Sequence, residues 1–400
     1  MKPIIIIGAG LAGYTVAREL RKLDKTMPLT IVTADDGGFY SKPMLSNAFA
    51  QNKLAAQLVT QTAAQLSTQL DAQILARTHV QRIDGANKTI DTSAGILEYE
   101  KVVIAVGAQP IRLAIGGDAA DQVLSVNHVD DYAAFRARIA LMPTAMPVRI
   151  AILGAGLIGC EFADDLAGAG HAVTLIDPNP LPLSALAAPA LSAGLHAALK
   201  ARGVGLRLAT TAVRIDRRDH GLEVTLADGN TFETDIVLSA VGLRADLTVA
   251  LASQLATGRG IIVDATGQTS TSGIYALGDC AEYTVEGGTR TLPYIAPLMT
   301  AARAIARTLT GQVTAIDLKP APVIVKTPSY PLALVPPPMH AIATGSWQQE
   351  SQGARMVCRF VDEHGVMLGF GVAPQEAGVR QLLLAGLGTR LAVDPAGITA

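Results

Sequence analysis

Two uninterrupted apolar runs stand out in the hydropathy pattern of this chain. The first is IIII at residues 4–7, and the second is IAIL at residues 150–153. A strand with one face in water would alternate apolar and polar residues, and neither run does so. Each run therefore predicts a strand buried on both faces, as in a parallel sheet covered by helices.

Each apolar run leads into three glycines with GxGxxG spacing. A helix-like stretch follows each set of glycines, and a second apolar run (LTIV at 29–32, VTLI at 173–176) follows each helix. The six glycines are Gly8, Gly10, Gly13, Gly154, Gly156 and Gly159. In a strand–turn–helix–strand unit this spacing permits a tight turn, close approach of a diphosphate, and close packing of helix on strand. The helix N-terminus then favours the negative charge of the diphosphate, so we predict two bound dinucleotides.

The residues at the strand ends indicate which dinucleotide each site binds. Asp177 ends the strand of the second unit, where a carboxylate can accept the ribose hydroxyls of NAD. The following stretch, DPNPLPLSALAAPA, contains no Lys or Arg to meet a 2′-phosphate, which favours NADH over NADPH. The first unit has Thr33 and Ala34 at this place, which weakens the ribose argument there. A later strand, in SGIYALGDCAE, runs into Gly278 and Asp279, where an acid can bond a hydroxyl of FAD.

Composition narrows the class of protein. Half of the 400 residues are apolar, 16% are charged, and the net charge is −2 with no basic run, so no nucleic-acid partner is expected. No apolar stretch approaches about 18 residues, so no membrane span is expected. The three cysteines, Cys160, Cys280 and Cys358, are far apart and form neither CxxC nor metal-ligand spacing. We therefore expect a cytoplasmic protein with no metal site and no disulfide.

These motifs resemble the two-dinucleotide-binding flavoprotein reductases, of which the stretches GAGLAG, GAGLIGCE and TSTSGIYALGDCAE are typical. The resemblance implies an α/β fold of two Rossmann-like, glutathione-reductase-like domains plus a small α+β C-terminal domain. It places FAD at the first glycine turn and NADH at the second. YEKVVIAVGAQP and ETDIVLSAVGLRADL resemble the crossover strands of that fold and contribute Gly107 and Gly242. Val106 stands where the family usually has Thr.

The absence of redox cysteines and two further sequence stretches indicate which branch of the family the chain resembles. The first helix has no CxxxxC dithiol, and no cysteine lies near residue 42. YSKPMLSNAF and VIVKTPSYPLAL resemble the rubredoxin reductases and their relatives that reduce flavorubredoxin. That resemblance implies that Lys42 and Lys326 lie beside the flavin, and that Glu161 orients the nicotinamide or pairs with Lys42. We assign catalytic roles to Lys42 and Glu161.

The resemblance also implies that Val80 lies near the adenine of FAD and that Ile295 lies near the pyrimidine edge of the flavin. Ordinary core packing would explain either residue type. The full set of candidate cofactor-binding residues is Gly8, Ala9, Gly10, Leu11, Ala12, Gly13, Thr33, Ala34, Lys42, Val80, Gly107, Gly154, Gly156, Leu157, Ile158, Gly159, Glu161, Asp177, Gly242, Gly278, Asp279, Ile295 and Lys326.

The function expected is electron transfer from NADH to FAD by hydride transfer, and then singly to rubredoxin. One alternative is an NADH reductase of flavorubredoxin or of an oxygenase ferredoxin, and another is a non-catalytic sensor of NADH. Residues 1–112 and 240–317 are expected to form the FAD-binding domain, 113–239 the NAD-binding domain, and 318–400 the C-terminal domain. A monomer is expected, because the short C-terminal region lacks the catalytic His motif of larger dimeric relatives.

Overall fold

The computed structural model describes residues 2–142, 146–285 and 288–391, except for the side chain of residue 352. The chain divides into two compact units. Unit 1 comprises residues 1–42, 55–111 and 243–319, and unit 2 comprises 43–54, 112–242 and 320–400. The NAD-binding segment expected from the sequence and all but the first two residues of the expected C-terminal segment thus fall within unit 2. The finer division into three domains stays a prediction.

Strands and helices alternate around the two glycine turns, and runs of consecutive strands lie between these regions. The strands are β1 (Ile4–Ile7), β2 (Leu29–Val32), β3 (Phe39–Tyr40), β4 (Val59–Gln61), β5 (Gln73–Leu75), β6 (Val80–Asp84), β7 (Thr89–Thr92), β8 (Gly95–Glu98), β9 (Lys101–Ile104), β10 (Ala108–Pro110), β11 (Arg149–Leu153), β12 (Ala172–Asp177), β13 (Gly205–Leu208), β14 (Ala212–Arg218), β15 (Gly221–Leu226), β16 (Thr231–Thr234), β17 (Ile236–Ser239), β18 (Leu243–Ala245), β19 (Ile261–Val263), β20 (Ile274–Ala276), β21 (Ala281–Val285), β22 (Gly288–Thr291), β23 (Val323–Val325), β24 (Leu332–Val335), β25 (Ser346–Gln352), β26 (Arg355–Val361) and β27 (Met367–Ala373). The helices are α1 (Leu11–Leu23), α2 (Ala55–Leu58), α3 (Ala63–Leu70), α4 (Val129–Ala140), α5 (Leu157–Gly168), α6 (Pro189–Ala201), α7 (Thr248–Ala252), α8 (Ile295–Leu309) and α9 (Ala377–Ala385).

Unit 1 is built on a parallel sheet with the strand order β20-β9-β1-β2-β5. All four isoleucines of β1 are buried, as the absence of alternation predicts for a central parallel strand. Helices α1 and α8 pack against each other beside this sheet, with Leu20 and Ile305 fully buried in the same core. Basic residues in the last turn of α1 complement the partial negative charge at its C-terminus.

Smaller sheets complete unit 1. Strands β6, β7 and β8 form an antiparallel sheet, and β19, β21 and β22 form a mixed one. Strands β10 and β18 pair antiparallel, which joins the chain where it leaves the unit to the chain where it returns. Helix α3 begins at a capping box in which Thr62 and Gln65 satisfy each other's backbone N–H groups.

Unit 2 repeats the same plan around a second parallel sheet, with the order β13-β12-β11-β17. An antiparallel sheet of β14, β15 and β16 packs beside it, and the shared core includes Leu153, Ile176 and Val224. Helix α6 begins with Pro189, whose fixed φ suits a first helical position.

The C-terminal part of unit 2 is an antiparallel sheet with the order β23-β24-β27-β26-β25, followed by helix α9. Helix α9 forms within the stretch EAGVRQLLLAGL, where the sequence predicts a final helix. Helix α6 packs on β26 and β27, so this sheet belongs to the same unit as the second parallel sheet. Across the described ranges, none of the helices combines the length and apolar character needed to cross a membrane.

Candidate active site

The two glycine turns have the same backbone geometry. Gly8 follows β1 with φ +113°, and Gly154 follows β11 with φ +102°, a region that favours glycine. A Cβ at Gly8 would lie 2.3 Å from the carbonyl oxygen of Ala105, and one at Gly154 would lie 2.7 Å from that of Ala240. The first glycine of each turn is therefore required both by its φ and by the neighbouring strand.

The third and second glycines of each turn have opposite surroundings. A Cβ at Gly13 would lie 2.0 Å from the oxygen of Gly8, and one at Gly159 would lie 1.8 Å from that of Gly154. These positions let the helix pack on the turn. A Cβ at Gly10 or Gly156 would have no other atom within 4 Å. The protein therefore does not need glycine there for its own packing, and the open backbone fits the approach of a diphosphate.

The candidate residues of unit 1 gather beyond the carboxyl ends of its parallel strands. Ala9, Leu11 and Ala12 lie in the turn and first helical turn after β1, and Thr33 and Ala34 follow β2. Gly107 follows β9, and Gly278 and Asp279 follow β20. Ligands of open α/β sheets bind at this edge. The sheet thus brings together residues from distant parts of the chain.

Two of these residues show how polar groups are held at this edge. The buried Thr33 hydroxyl donates to Asp35 Oδ1 at 2.6 Å, so Asp35 serves the local turn. Burial raises the pKa of Asp279, and the nearby charge of Lys42 partly opposes that rise. Lys42 is therefore close enough to Asp279 to influence its charge.

Val80 and Ile295 belong to other elements of unit 1, and helix α8, which begins at Ile295, packs against Gly278–Cys280. Val80 opens β6 of the antiparallel sheet, and Ile295 is the first residue of α8, with 52% of its surface exposed. Their proposed contacts to FAD stay predictions.

Asp177 is held firmly in unit 2. It ends β12, is 8% exposed, and its Oδ2 accepts from the backbone N–H of Ala155 inside the glycine turn at 2.6 Å. Its Oδ1 accepts from the backbone and side-chain nitrogens of Asn179, both at 2.8 Å. These hydrogen bonds hold the carboxylate beside the turn, and its contact with a ribose stays a prediction. Leu157, Ile158 and Gly242 lie around the same turn, at the start of α5 and after β17.

Glu161 lies in the second turn of α5 and is only 2% exposed. Its Oε2 accepts from Lys326 Nζ and from Ser46 Oγ, both at 2.5 Å, and its Oε1 accepts from the backbone N–H of Lys326 at 2.9 Å. The structure therefore brings Glu161 and Lys326 together as an ion pair within unit 2.

Sequence reasoning missed three polar residues around this pair: Ser46, Asp164 and Asp165. Asp164 is fully buried, accepts from the backbone N–H of Ser329 at 2.9 Å, and lies 3.1 Å from Arg202 Nε. Asp165 is 5% exposed and accepts from the backbone N–H groups of Phe49 and Ala50. Burial raises the pKa of Asp165, although these hydrogen bonds oppose the rise. The signal in the sequence was three acids at i, i+3 and i+4 on an apolar helix.

The cysteines are packing residues in this fold. Cys160, Cys280 and Cys358 are free and completely buried. Burial raises the pKa of the Cys280 thiol to about 12 and raises the pKa of Cys160 as well. Both therefore stay protonated near neutral pH and are poor nucleophiles.

Two open glycine turns, each at the end of a strand of its own parallel sheet, are the arrangement typical of proteins that bind dinucleotides. Residues 2–322 match the family model described as pyridine nucleotide-disulphide oxidoreductase, and the chain belongs to that family. Membership implies an oxidoreductase that uses NAD(H) and a flavin. Residues 315–387 match a second family model, described as the rubredoxin binding C-terminal domain.

Named relatives and a solved structure agree with this placement. The chain is 41% identical to the rubredoxin-NAD(+) reductase of Acinetobacter baylyi over 96% of this chain and 97% of that one. It is 40% identical to the nitric oxide reductase FlRd-NAD(+) reductase of Aeromonas salmonicida over 83% of each. The fold matches putidaredoxin reductase in its covalent complex with putidaredoxin, with a TM-score of 0.86 at 23% identity over 99% of this chain and 95% of that one.

Proposed function

We propose that this chain is an FAD-dependent reductase that accepts hydride from NADH and passes electrons singly to rubredoxin. The observation that carries the proposal is the match of residues 315–387 to a rubredoxin-binding domain, at the C-terminal end of the match of residues 2–322 to pyridine nucleotide-disulphide oxidoreductase. The 41% identity to a rubredoxin-NAD(+) reductase over nearly the whole length of both chains supports the same assignment.

The residues of each unit have separate tasks in this proposal. In unit 1 the turn at 8–13 would hold the FAD diphosphate, and Asp279 would accept a hydroxyl of the flavin chain. In unit 2 the turn at 154–159 would hold the NADH diphosphate, and Asp177 would accept the ribose hydroxyls. A bound flavin accepts hydride and releases electrons one at a time, so the protein need only bind, orient and supply charge.

Three charged residues would provide orientation and charge. Lys42 would stabilise negative charge on the reduced flavin, and the influence of Lys42 on the pKa of Asp279 supports a cation near that site. Glu161 would orient the nicotinamide carboxamide. Lys326 would lie beside the flavin with its charge balanced by Glu161, at 2.5 Å. Lys42 would then be the cation with the larger influence on the flavin.

The test begins with the purified protein. Flavin released by heat is separated by chromatography to distinguish FAD from FMN, and the protein is then reduced anaerobically with NADH or NADPH. We expect FAD, and faster reduction by NADH than by NADPH. A colourless protein that cannot be reconstituted with flavin would refute the proposal. Reduction without turnover of any acceptor would instead favour the non-catalytic sensor.

The electron acceptor is identified with a panel of purified rubredoxin, flavorubredoxin and a [2Fe–2S] ferredoxin. We expect the highest kcat/KM with rubredoxin. The second candidate is a flavorubredoxin reductase, because a relative named as an FlRd-NAD(+) reductase is 40% identical to this chain. A higher kcat/KM with flavorubredoxin would show that the chain is a flavorubredoxin reductase. The cytoplasmic location and the monomeric state stay predictions, and a sizing column tests the second.

A further inference from the structure

Ser46 occupies a buried position in the stretch YSKPMLSNAF, within a 3-10 turn that spans Lys42–Asn47. It is 2% exposed. Its hydroxyl donates to Glu161 Oε2 at 2.5 Å and accepts from Lys326 Nζ at 3.2 Å. Ser46 therefore touches both members of the ion pair.

The ammonium group of Lys326 is fully engaged by this cluster. An ammonium group has three N–H donors. Nζ lies 2.6 Å from the carbonyl oxygen of Pro43, 3.2 Å from Ser46 Oγ and 2.5 Å from Glu161 Oε2. Two of the three acceptors come from the segment 43–54. Glu161 is buried, whereas 27% of the Lys326 side chain is exposed. Because a charge withdrawn from water is favourable only when hydrogen bonds satisfy it, this segment completes the pair.

The same segment is fastened a short distance beyond Ser46. Asp165 accepts from the backbone N–H groups of Phe49 at 2.7 Å and Ala50 at 3.1 Å. The ring of Phe49 is buried, with edge-on contacts to Tyr132, Phe135 and His171. Glu161 and Asp165 are one helical turn apart on α5, so one helix face holds both ends of the stretch 46–50.

We propose that Ser46 and Asp165 are positioning residues for the Glu161–Lys326 pair. Ser46 acts by direct hydrogen bonds to both side chains, and Asp165 acts by holding the backbone that presents Ser46. The contacts that carry this inference do not depend on any cofactor. Its consequence for NADH oxidation rests on the proposed role of Glu161.

The first test measures the reactivity of the Lys326 amine in the purified protein. Acetic anhydride labelling followed by mass spectrometry of peptides gives the labelling rate of Lys326 relative to the exposed Lys200. Removing the hydrogen bond between Ser46 and Lys326, worth about 1 kcal/mol, should raise the rate about fivefold in Ser46→Ala. Asp165→Asn weakens the hold on the backbone that presents Ser46 and should raise the rate by up to the same factor. Glu161→Gln should raise it further, and Ser46→Thr should restore the wild-type rate.

The matched control is Asp130→Asn, which removes an exposed acid from the first turn of helix α4. It should leave the labelling of Lys326 unchanged. Wild-type labelling in both Ser46→Ala and Asp165→Asn would overturn the proposal. So would wild-type labelling in Glu161→Gln, because the pair would then not protect the amine.

The second test measures the rate constant of flavin reduction by NADH in Ser46→Ala, Glu161→Gln and the double variant. If Ser46 acts through Glu161, its effect should vanish in the Glu161→Gln background. KM for NADH should change less than kcat, because the diphosphate and ribose contacts are not altered. Additive effects would contradict positioning. A wild-type rate in Glu161→Gln would refute the proposed role of Glu161, while the labelling result would still decide the inference.

Discussion

The substitution Gly156→Ala tests whether glycine is required at this position for folding or for ligand binding. Gly156 is the N-cap of α5, with φ −76° and ψ −168°, a conformation that any residue can adopt. A Cβ there would have no other atom within 4 Å. We therefore expect the variant to fold, with a loss of at most about 1 kcal/mol in the free energy of unfolding, because alanine is a poorer N-cap than glycine.

The loss in nucleotide binding should be larger. The added methyl group would stand on the open backbone face that the diphosphate approaches in the proposed complex. A diphosphate displaced by it would lose at least one hydrogen bond from a backbone N–H, worth about 1.5–3 kcal/mol to a charged acceptor. That loss corresponds to about a 10- to 150-fold weaker affinity for NAD(H).

The assay is calorimetric titration of the flavin-loaded protein with NAD+, with thermal unfolding measured in parallel. Gly10→Ala is the matched variant, because Gly10 has the same open surroundings in unit 1. It should reduce retention of the flavin. An NAD+ affinity within about twofold of wild type in Gly156→Ala would refute the assignment of this turn to the diphosphate.

The remaining predictions concern stability. Gly159→Ala should lower the free energy of unfolding by about 3 kcal/mol or prevent folding, because its Cβ would overlap the oxygen of Gly154. Urea denaturation measures the loss, and a wild-type yield of soluble protein with wild-type stability would contradict the prediction. Burial lowers the pKa of His171, so the folded state binds a proton less well than the unfolded one. Stability should therefore fall as the pH drops below about 6.5, and His171→Phe should flatten that fall in urea denaturation; equal pH dependence in both proteins would contradict it. Arg202→Ala leaves the fully buried Asp164 without its cation and should lower the free energy of unfolding by about 1–3 kcal/mol, whereas an unchanged denaturation midpoint would show that the pair contributes nothing.

Much of the fold could be predicted because its signals are local. The unbroken IIII of β1 and the glycine spacing after it lie close together along the chain, and the structure has the strand, turn and helix in that order. The second copy at β11 and α5 behaves identically, down to which glycine is open and which is closed. The conformation of a turn depends mainly on its own residues, so a single sequence can indicate it.

The candidate site could be predicted only in part. Asp177 can be found from the sequence because its place at the end of β12 follows from the repeat. The pairing of Glu161 with Lys326 and Ser46 cannot be found in this way, because Lys326 lies 165 positions from Glu161 along the chain and Ser46 lies 115 positions from it. The acids at 164 and 165 look like ordinary helix residues, yet each holds a distant backbone N–H group.

The sequence by itself determined the two glycine turns, the buried strands before them, and the acid that ends β12, since each depends on neighbours along the chain. Only the tertiary structure decided that the segment 43–54 and Lys326 meet helix α5, and which hydrogen bonds satisfy its three carboxylates. A buried charge must find partners, but which partners it finds depends on how distant segments pack, and that packing has no local signature.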